Sequence, residues 1–233
     1  MIQPQQQLTL NVQLRDDATL ENFLCPTGAQ PLLKALEQQL EEQGEPLIYL
    51  YGPADTGKSH LLQAACHLAE TTPVIYLPLS DLAGYSPEDV LQGVESMALV
   101  CLDDVHAVMG NDAWELELFH FFNKAREQNC RLLVSAGCAP RELQLNLADL
   151  RSRLSWGIVY QLESLNDDER QSILCFRAAR RGLQLSSEVS NYIIGRAPRA
   201  LSQLLELLDT LDTASLVEQR SLSIPFVKKA LNW

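Results

Sequence analysis

The sequence predicts an α/β fold, in which helices cover both faces of a five-stranded parallel sheet, followed by a small all-helical domain. Five short apolar runs are each bounded by turn residues and separated by segments of helix length. Such runs are typical of strands buried on both faces, as in a parallel sheet. Strand signals stop after Leu162, and only helical patterns follow. The runs are Leu47–Tyr51, Val74–Leu77, Ala98–Leu102, Leu132–Ser135 and Ile158–Leu162.

Apolar residues at three- and four-residue spacing justify the helices. The first helix is expected from Gln30 to Gln43, ending near Gly44, and a longer one from Trp114 to Gln128. After the sheet, Leu165–Arg170 places acidic residues where a helix N-terminus favours them. A later stripe of leucines indicates packing within a helical bundle. The stripe consists of Leu201, Leu204, Leu205, Leu208 and Leu211.

These patterns divide the chain into three parts. Residues 1–17 are rich in glutamine, polar and without helical period, which indicates a flexible tail. Residues 18–163 are expected to form the α/β domain and residues 164–233 the helical domain.

Composition narrows the function classes. Of the 233 residues 46% are hydrophobic, which is typical of a globular chain. The formal net charge of −12 argues against a protein that coats nucleic acid. The six cysteines show no metal-ligand or C-x-x-C spacing and are expected to be reduced core residues. Without a secretory signal or an apolar run of about 20 residues, the chain is expected to be cytoplasmic and to need no membrane.

The motif that carries chemistry follows the first strand and matches G-x-x-x-x-G-K-[ST]. Glycines let the backbone curl so that its N–H groups face phosphate oxygens, and the helix that follows adds its positive dipole end. Lys58 is expected to reach the β- and γ-phosphates of ADP or ATP, and Ser59 to ligate Mg²⁺. The expected nucleotide-binding residues here are Gly52, Pro53, Ala54, Asp55, Thr56, Gly57, Lys58, Ser59 and His60.

A pair of carboxylates follows the third strand. Asp103 is expected to hold Mg²⁺ through water, and Asp104 to polarise an attacking water. A polar turn is the alternative for this pair. Asp55, a negative charge inside the phosphate loop, is expected to weaken nucleotide affinity unless it points to solvent.

Three segments together resemble the AAA+ module of the DnaA family, whose name-giving member is the bacterial replication initiator. They are Gly57–Ala65, Leu102–Val105 and Leu150–Gly157, and the resemblance runs from about Leu20 onward. The sequence is expected to end inside the helical lid, before the helix-turn-helix DNA-binding domain that the family's initiators carry. The short Gln7-Leu8-Thr9-Leu10 resembles a peptide that binds the polymerase sliding clamp (its beta subunit), with Gln7, Leu8 and Leu10 as the contacts.

The resemblance assigns further roles residue by residue. Arg153 matches the arginine finger that reaches a neighbouring subunit's ATP, with Arg151 the less suitable finger and a surface salt bridge the structural alternative. Arg199 matches the lid arginine that contacts nucleotide phosphates. Asn22 and Phe23 lie where relatives line the base pocket. Gly137 departs from the family, because relatives carry a polar pair there, and this puts self-catalysed hydrolysis in doubt; Ser135 is a partial substitute.

The resemblance therefore implies a clamp-bound negative regulator of replication initiation that stimulates hydrolysis of DnaA-bound ATP through Arg153 in trans. Its own nucleotide is expected to be ADP, it reaches DNA only indirectly, and a nucleotide-dependent homo-oligomer is compatible with the class. One alternative is an autonomous AAA+ ATPase, a loader or DNA remodeller, for which Arg177, Arg180 and Arg181 offer a small basic cluster. Another is a nucleotide-responsive tether that recruits DnaA-family proteins elsewhere.

Overall fold

The computed structural model describes residues 14–25, 28–69 and 71–233. The expected clamp-binding residues Gln7, Leu8 and Leu10 lie outside these ranges. Contacts divide the chain into two compact units. The α/β unit extends to Pro53 and continues over Gly57–Leu162. The helical unit comprises Glu163–Trp233 and the short segment Ala54–Thr56.

The α/β unit is built on the five-stranded parallel sheet that the sequence predicts. Its strand order is β2-β3-β4-β1-β5, and every pair of neighbours is parallel. The strands are β1 Leu47–Tyr51, β2 Val74–Pro78, β3 Leu99–Asp103, β4 Arg131–Ala136 and β5 Ile158–Gln161.

Alternation along the central strands supplies an apolar core on each face of the sheet. In β1, Leu47 and Tyr49 pack into one core, and Ile48 and Leu50 pack into the other. This is the reason that the runs are continuously apolar. The expectation of burial on both faces is wrong for β5, where Ile158 and Val159 are exposed, because β5 is an edge strand.

Six α-helices flank the sheet in the part of this unit that the structure describes. The first ends earlier than the sequence predicts, at Gln38, because the chain turns back so tightly that a Cβ on Gly44 would lie 2.3 Å from the Gln38 carbonyl oxygen. Short 3₁₀ helices cover Leu20–Asn22, Val94–Ser96, Val105–Val108 and Pro140–Glu142. The α-helices are α1 Gln30–Gln38, α2 Lys58–Leu68, α3 Leu79–Leu82, α4 Pro87–Leu91, α5 Asp112–Glu127 and α6 Ala148–Leu154.

The helical unit has its own core. Asn166 caps α7 in a capping box with Glu169, at the helix start that the acidic cluster predicts. The leucine stripe on α9 faces inward through Leu204, Leu208 and Leu211, which are fully buried. The helices are α7 Asp167–Arg180, α8 Ser187–Ile194, α9 Leu201–Glu218 and α10 Ile224–Leu231.

A buried carboxylate on α5 holds the loop that leads into α6. Glu115 is fully buried, and its Oε2 accepts hydrogen bonds from the backbone N–H groups of Asn146 at 2.8 Å and Leu147 at 2.7 Å. Its Oε1 accepts from the Gly110 N–H at 2.7 Å. A buried carboxylate is tolerated when several N–H groups satisfy it, so Glu115 sets the start of the helix that carries Arg153.

Replacing Glu115 with glutamine should destabilise the protein. Glu115→Gln turns one acceptor oxygen into an NH₂ group that faces backbone N–H donors, and we expect the free energy of unfolding to fall by about 2–3 kcal/mol in urea titration. Glu127→Gln, at an exposed position on the same helix, is the control and should change it by less than about 0.5 kcal/mol. Equal effects of the two substitutions would contradict this role.

Candidate functional site

The phosphate loop runs from the end of β1 into α2, and two glycines shape it. Gly52 has φ +155°, and a Cβ there would lie 2.1 Å from the Leu162 carbonyl oxygen. Gly57 has φ +90°, and a Cβ there would lie 2.9 Å from the ring of Phe23. Both positions therefore require glycine, and the loop keeps the tight curl that phosphate binding needs.

Lys58 is the first residue of α2 and lies buried within the loop. Its Nζ donates to the carbonyl oxygens of Gly52 at 2.9 Å and Pro53 at 2.7 Å. Thr56 is buried as well, whereas Pro53, Ala54 and Asp55 are exposed. The ammonium group is thus held inside the curl, where it would meet the phosphates of a nucleotide.

Asp103 ends β3 and is buried, with both carboxylate oxygens hydrogen-bonded. The Ser135 hydroxyl of the neighbouring strand donates to Oδ1, and the Tyr76 hydroxyl donates to Oδ2 at 2.6 Å. Burial and, secondarily, the charge of Asp103 raise the pKa of Tyr76, which therefore stays a donor. Tyr76 was not predicted as a site residue, because the sequence pattern does not distinguish a tyrosine inside an apolar strand from a core residue.

Ser135 also connects the two acidic residues. Its Oγ accepts from the Asp104 backbone N–H at 2.9 Å while its hydroxyl donates to Asp103. Ser135 was expected to substitute in part for a polar group at position 137. In the structure it serves the carboxylate pair instead.

Asp104 lies directly after β3 in the left-handed backbone region, with φ +54°. Burial, followed by the charge of Asp103, raises the pKa of its carboxyl group, while the charges of His106 and Lys58 oppose this rise. His106 Nδ1 lies 3.9 Å from Asp104 Oδ1 and accepts a hydrogen bond from the Gly137 N–H at 3.2 Å. His106 is a residue of this edge that the sequence analysis did not select.

The segment before α1 packs beside the phosphate loop. The Phe23 ring lies 5.8 Å from the His60 ring, and His60 Nε2 lies 2.8 Å from the Thr19 carbonyl oxygen. Asn22 donates from Nδ2 to the Asp17 carbonyl oxygen at 2.9 Å. Of the two residues expected at a base pocket, Phe23 therefore contacts the loop region, whereas Asn22 braces its own segment.

The two arginines of α6 are held differently. Arg151 donates from Nη2 to the Leu143 carbonyl oxygen at 3.2 Å. The Arg153 guanidinium lies over the Phe119 ring of α5, 5.7 Å from its centroid, and forms no ion pair or hydrogen bond with any residue that the structure describes. The structure therefore does not show the salt bridge that was the alternative for Arg153. The N–H groups of its guanidinium are available to a partner.

Arg199 belongs to the helical unit, where it is exposed just before α9. The turn just before Arg199 is held by Arg170, which is buried and whose guanidinium donates to the Pro198 carbonyl oxygen and to Asp167.

In the same unit Arg177 is buried and Arg181 pairs with Asp209, so these residues do not make the exposed basic cluster that a DNA remodeller would need.

The residues present fit a nucleotide with its magnesium ion. Gly52, Gly57 and Lys58 would hold the phosphates, and Ser59 and Asp103 would supply oxygen ligands to Mg²⁺. Within the described ranges no three His, Cys, Asp or Glu side chains cluster as a metal site. The same ranges contain no helix long and apolar enough to cross a membrane.

The fold and the loop define the class of protein: this is an AAA+ module, a P-loop α/β domain followed by a helical lid. Residues 86–161 match the family model of the bacterial DnaA ATPase domain, and residues 167–231 match the model described as Hda, lid domain. An uncharacterised protein of Haemophilus influenzae is 44% identical over 97% of this chain and 98% of its own length.

Solved structures of DnaA share the fold at lower sequence identity. Domain III of Thermotoga maritima DnaA matches with a TM-score of 0.78 and 23% identity, over 95% of this chain and 98% of that one. AMPPCP-bound DnaA from Aquifex aeolicus matches with a TM-score of 0.72 and 27% identity, over 88% of this chain and 68% of that one. The chain belongs to the DnaA and Hda family of AAA+ proteins.

Neutralising Asp104 should stabilise the protein in a pH-dependent way. Because the pKa of Asp104 is raised in the folded chain, its ionised form is less favourable there than in the unfolded chain. Asp104→Asn should raise the Tm at pH 7 by about 1–2 °C, a small effect because the side chain is one-third exposed. Asparagine tolerates the left-handed backbone, so the substitution adds no strain.

The difference in Tm should shrink as the pH falls towards 4, because the raised pKa means that the carboxyl group of Asp104 is protonated in the folded chain first. Asp16→Asn, in an exposed turn, is the control and should leave the Tm unchanged. Thermal unfolding by circular dichroism between pH 4 and 8 measures both. A lower Tm for Asp104→Asn at pH 7 would refute the proposed sign.

Proposed function

We propose that this protein is a negative regulator of replication initiation that acts in the cytoplasm while bound to the DNA polymerase sliding clamp. It contacts the ATP-bound initiator DnaA, presents Arg153 to the initiator's nucleotide and stimulates hydrolysis of that ATP to ADP. A guanidinium that stabilises the charge developing on the transferred phosphoryl group accelerates such hydrolysis by about 10³–10⁵-fold.

The state of Arg153 is the observation that carries this proposal. Its guanidinium is supported by the Phe119 ring, while Arg151 two residues earlier is tied to a backbone carbonyl. Cation–π support orients the charge without consuming its N–H donors, which stay available to a phosphate. The buried Glu115 sets the loop before α6, and this limits the positions that Arg153 can take.

The protein's own phosphate loop supports a nucleotide-binding role, with ADP proposed as the resident ligand. AMPPCP-bound DnaA from Aquifex aeolicus has the same fold, and the Phe23 ring beside Gly57 supports a base-binding role for this edge. Bound Mg²⁺ would supply charge neutralisation for the phosphates. Gly137 offers no polar side chain at the end of β4, which favours a nucleotide held as a conformational switch over rapid turnover.

Gln7, Leu8 and Leu10, which belong to the proposed tail of residues 1–17, are proposed to bind the clamp. Two leucines spaced by one residue can enter an apolar groove, with the glutamine making polar contacts at its rim. DNA is then reached through the clamp and the initiator. The proposed lid, residues 164–233, bears Arg199, for which we propose contact with nucleotide phosphates.

The central test measures hydrolysis of DnaA-bound ATP in the presence of DNA-loaded clamp. Arg153→Ala should lower the stimulated rate by about 10³-fold or more, because it removes the charge offered to the phosphoryl group. Arg141→Ala, an exposed arginine of the same unit, should stimulate like the wild type. Full stimulation by Arg153→Ala, or none by the wild type, would refute the proposal.

Clamp binding is measured separately, so that the two functions can be told apart. Deletion of residues 1–10, or the pair Leu8→Ala and Leu10→Ala, should abolish clamp affinity and clamp-dependent stimulation. Arg153→Ala should bind the clamp as the wild type does. If the deletion leaves clamp affinity unchanged, the tether alternative, which needs no clamp peptide, is favoured.

An autonomous ATPase is the second candidate, favoured by the complete pair Asp103 and Asp104 after β3. It requires steady ATP turnover by the purified protein that falls in Asp104→Asn. Because Arg177 is buried and Arg181 pairs with Asp209, these two arginines do not contribute to the exposed basic cluster that a remodeller would use.

A further inference from the structure

The surface of the helical unit carries a cluster of cationic and aromatic side chains, none of which takes part in the nucleotide site or in the proposed contact with DnaA. Tyr192, on α8, is its centre. The Arg196 guanidinium lies 4.4 Å and the Lys228 Nζ lies 5.6 Å from the centroid of the tyrosine ring. The centroid of the Trp233 ring lies 6.1 Å from that of the same ring. These four side chains, which we call the Tyr192 patch, therefore join the ends of α8 and α10 in one surface.

The two cations of the Tyr192 patch have no counter-charge. Arg196 and Lys228 are exposed, and neither forms an ion pair with a carboxylate of the residues that the structure describes. By contrast Lys229, the next residue on α10, pairs with Glu218 at 2.8 Å. Cation–π contact orients a cation without consuming its N–H donors. Two like charges held on one ring repel each other, so an anion that binds both is favoured.

The distribution of charge along the chain also favours an anion here. Residues 164–233 hold nine lysines and arginines against eight aspartates and glutamates, whereas the whole chain has 18 against 30. The net charge of −12 therefore comes from the remainder of the chain. Repulsion of an anionic partner is consequently least at this unit.

Trp233 gives the patch an aromatic surface in addition to its charge. The residue is 37% exposed. Nucleic-acid bases stack on exposed aromatic side chains, and they are free to do so in a single strand, where they are not already paired and stacked in a duplex. Cations beside an exposed ring are the combination that holds the phosphates and the bases of single strands. An acidic protein segment would be held by the two cations alone and would make no use of the indole.

We propose that the Tyr192 patch binds a short segment of single-stranded nucleic acid, with phosphates on Arg196 and Lys228 and one base stacked on Trp233. Tyr192 is a positioning residue, because its ring holds both cations. This direct contact is additional to the route through the clamp and the initiator, and it does not depend on Arg153. With two phosphates neutralised, the logarithm of the binding constant should fall with the logarithm of the salt concentration with a slope of about −1.4.

The test is fluorescence anisotropy with the full chain and a labelled oligothymidylate of about eight nucleotides at about 50 mM salt. Trp233→Ala should weaken binding by about tenfold, because one stacked base is lost. Trp233→Phe keeps a ring and should retain most of the affinity. An abasic oligonucleotide of the same length and charge should bind the wild type about tenfold more weakly, and Trp233→Ala should not weaken it further.

The electrostatic part is tested with Lys228→Ala. This substitution should lower the affinity and reduce the magnitude of the salt slope by about 0.7, because one phosphate contact is lost. Arg220→Ala removes an exposed charge elsewhere in the same unit and should leave the affinity and the slope unchanged. An oligouridylate of the same length shows whether RNA or DNA binds more tightly, and circular dichroism verifies that each variant is folded.

Three results would overturn the proposal: no binding by the wild type, tighter binding of a duplex than of a single strand, or wild-type affinity in both Trp233→Ala and Lys228→Ala. If a polyglutamate peptide of equal charge competes as well as the oligonucleotide does, an acidic protein is the partner instead. None of these results bears on the hydrolysis assay with Arg153→Ala, so failure of the Tyr192 patch and failure of the proposed function are distinguishable.

Discussion

The parallel register of β1, β3 and β4 is the constraint on which the remaining structure depends. Because both faces of the sheet are apolar, the central strands must pair over their full length to satisfy their backbone groups. The pairing places Tyr51 beside Ala136, and Leu102 beside Val134, so all three strands finish at one edge. The phosphate loop, the carboxylate pair and Gly137 are consequently brought together although they are far apart in the sequence.

Two buried carboxylates use the same physical solution for different purposes. Asp103 is satisfied by two hydroxyl groups, which leave its remaining lone pairs available to a ligand. Glu115 is satisfied by three backbone N–H groups and is fully committed to holding two loops together. A buried charge must be compensated by hydrogen bonds, and the kind of donor decides whether it acts structurally or at a site.

Three arginines of this protein have the same side-chain chemistry but differ in the groups that they contact. Arg170 is buried and bonded to Asp167 and a carbonyl, Arg151 is bonded to a carbonyl, and Arg153 is supported by a ring alone. Only the last arrangement keeps the guanidinium donors available at a defined position. The resemblance favours Arg153 over Arg151 as the proposed finger, and the contact with Phe119 is compatible with that proposal.

The fold class, the five strands and the phosphate loop were predictable from the sequence, because they depend on local patterns: apolar runs, glycine spacing and a lysine at a helix start. Helix ends such as Gln38 and the exposure of β5 were not predictable, since they depend on which elements become neighbours. The sequence also selected Lys58, Asp103 and Arg153 as candidate site residues, and their roles stay predictions.

What the sequence by itself determined is therefore the set of residue types and their order along the chain. Only the tertiary structure decided that Tyr76 and Ser135 satisfy Asp103 and that the Gly137 N–H orients His106. Each of these is a hydrogen bond whose partners are determined by the three-dimensional fold. Spacing along the chain carries no information about such pairs, because strand order, which is a property of the whole sheet, brings them together.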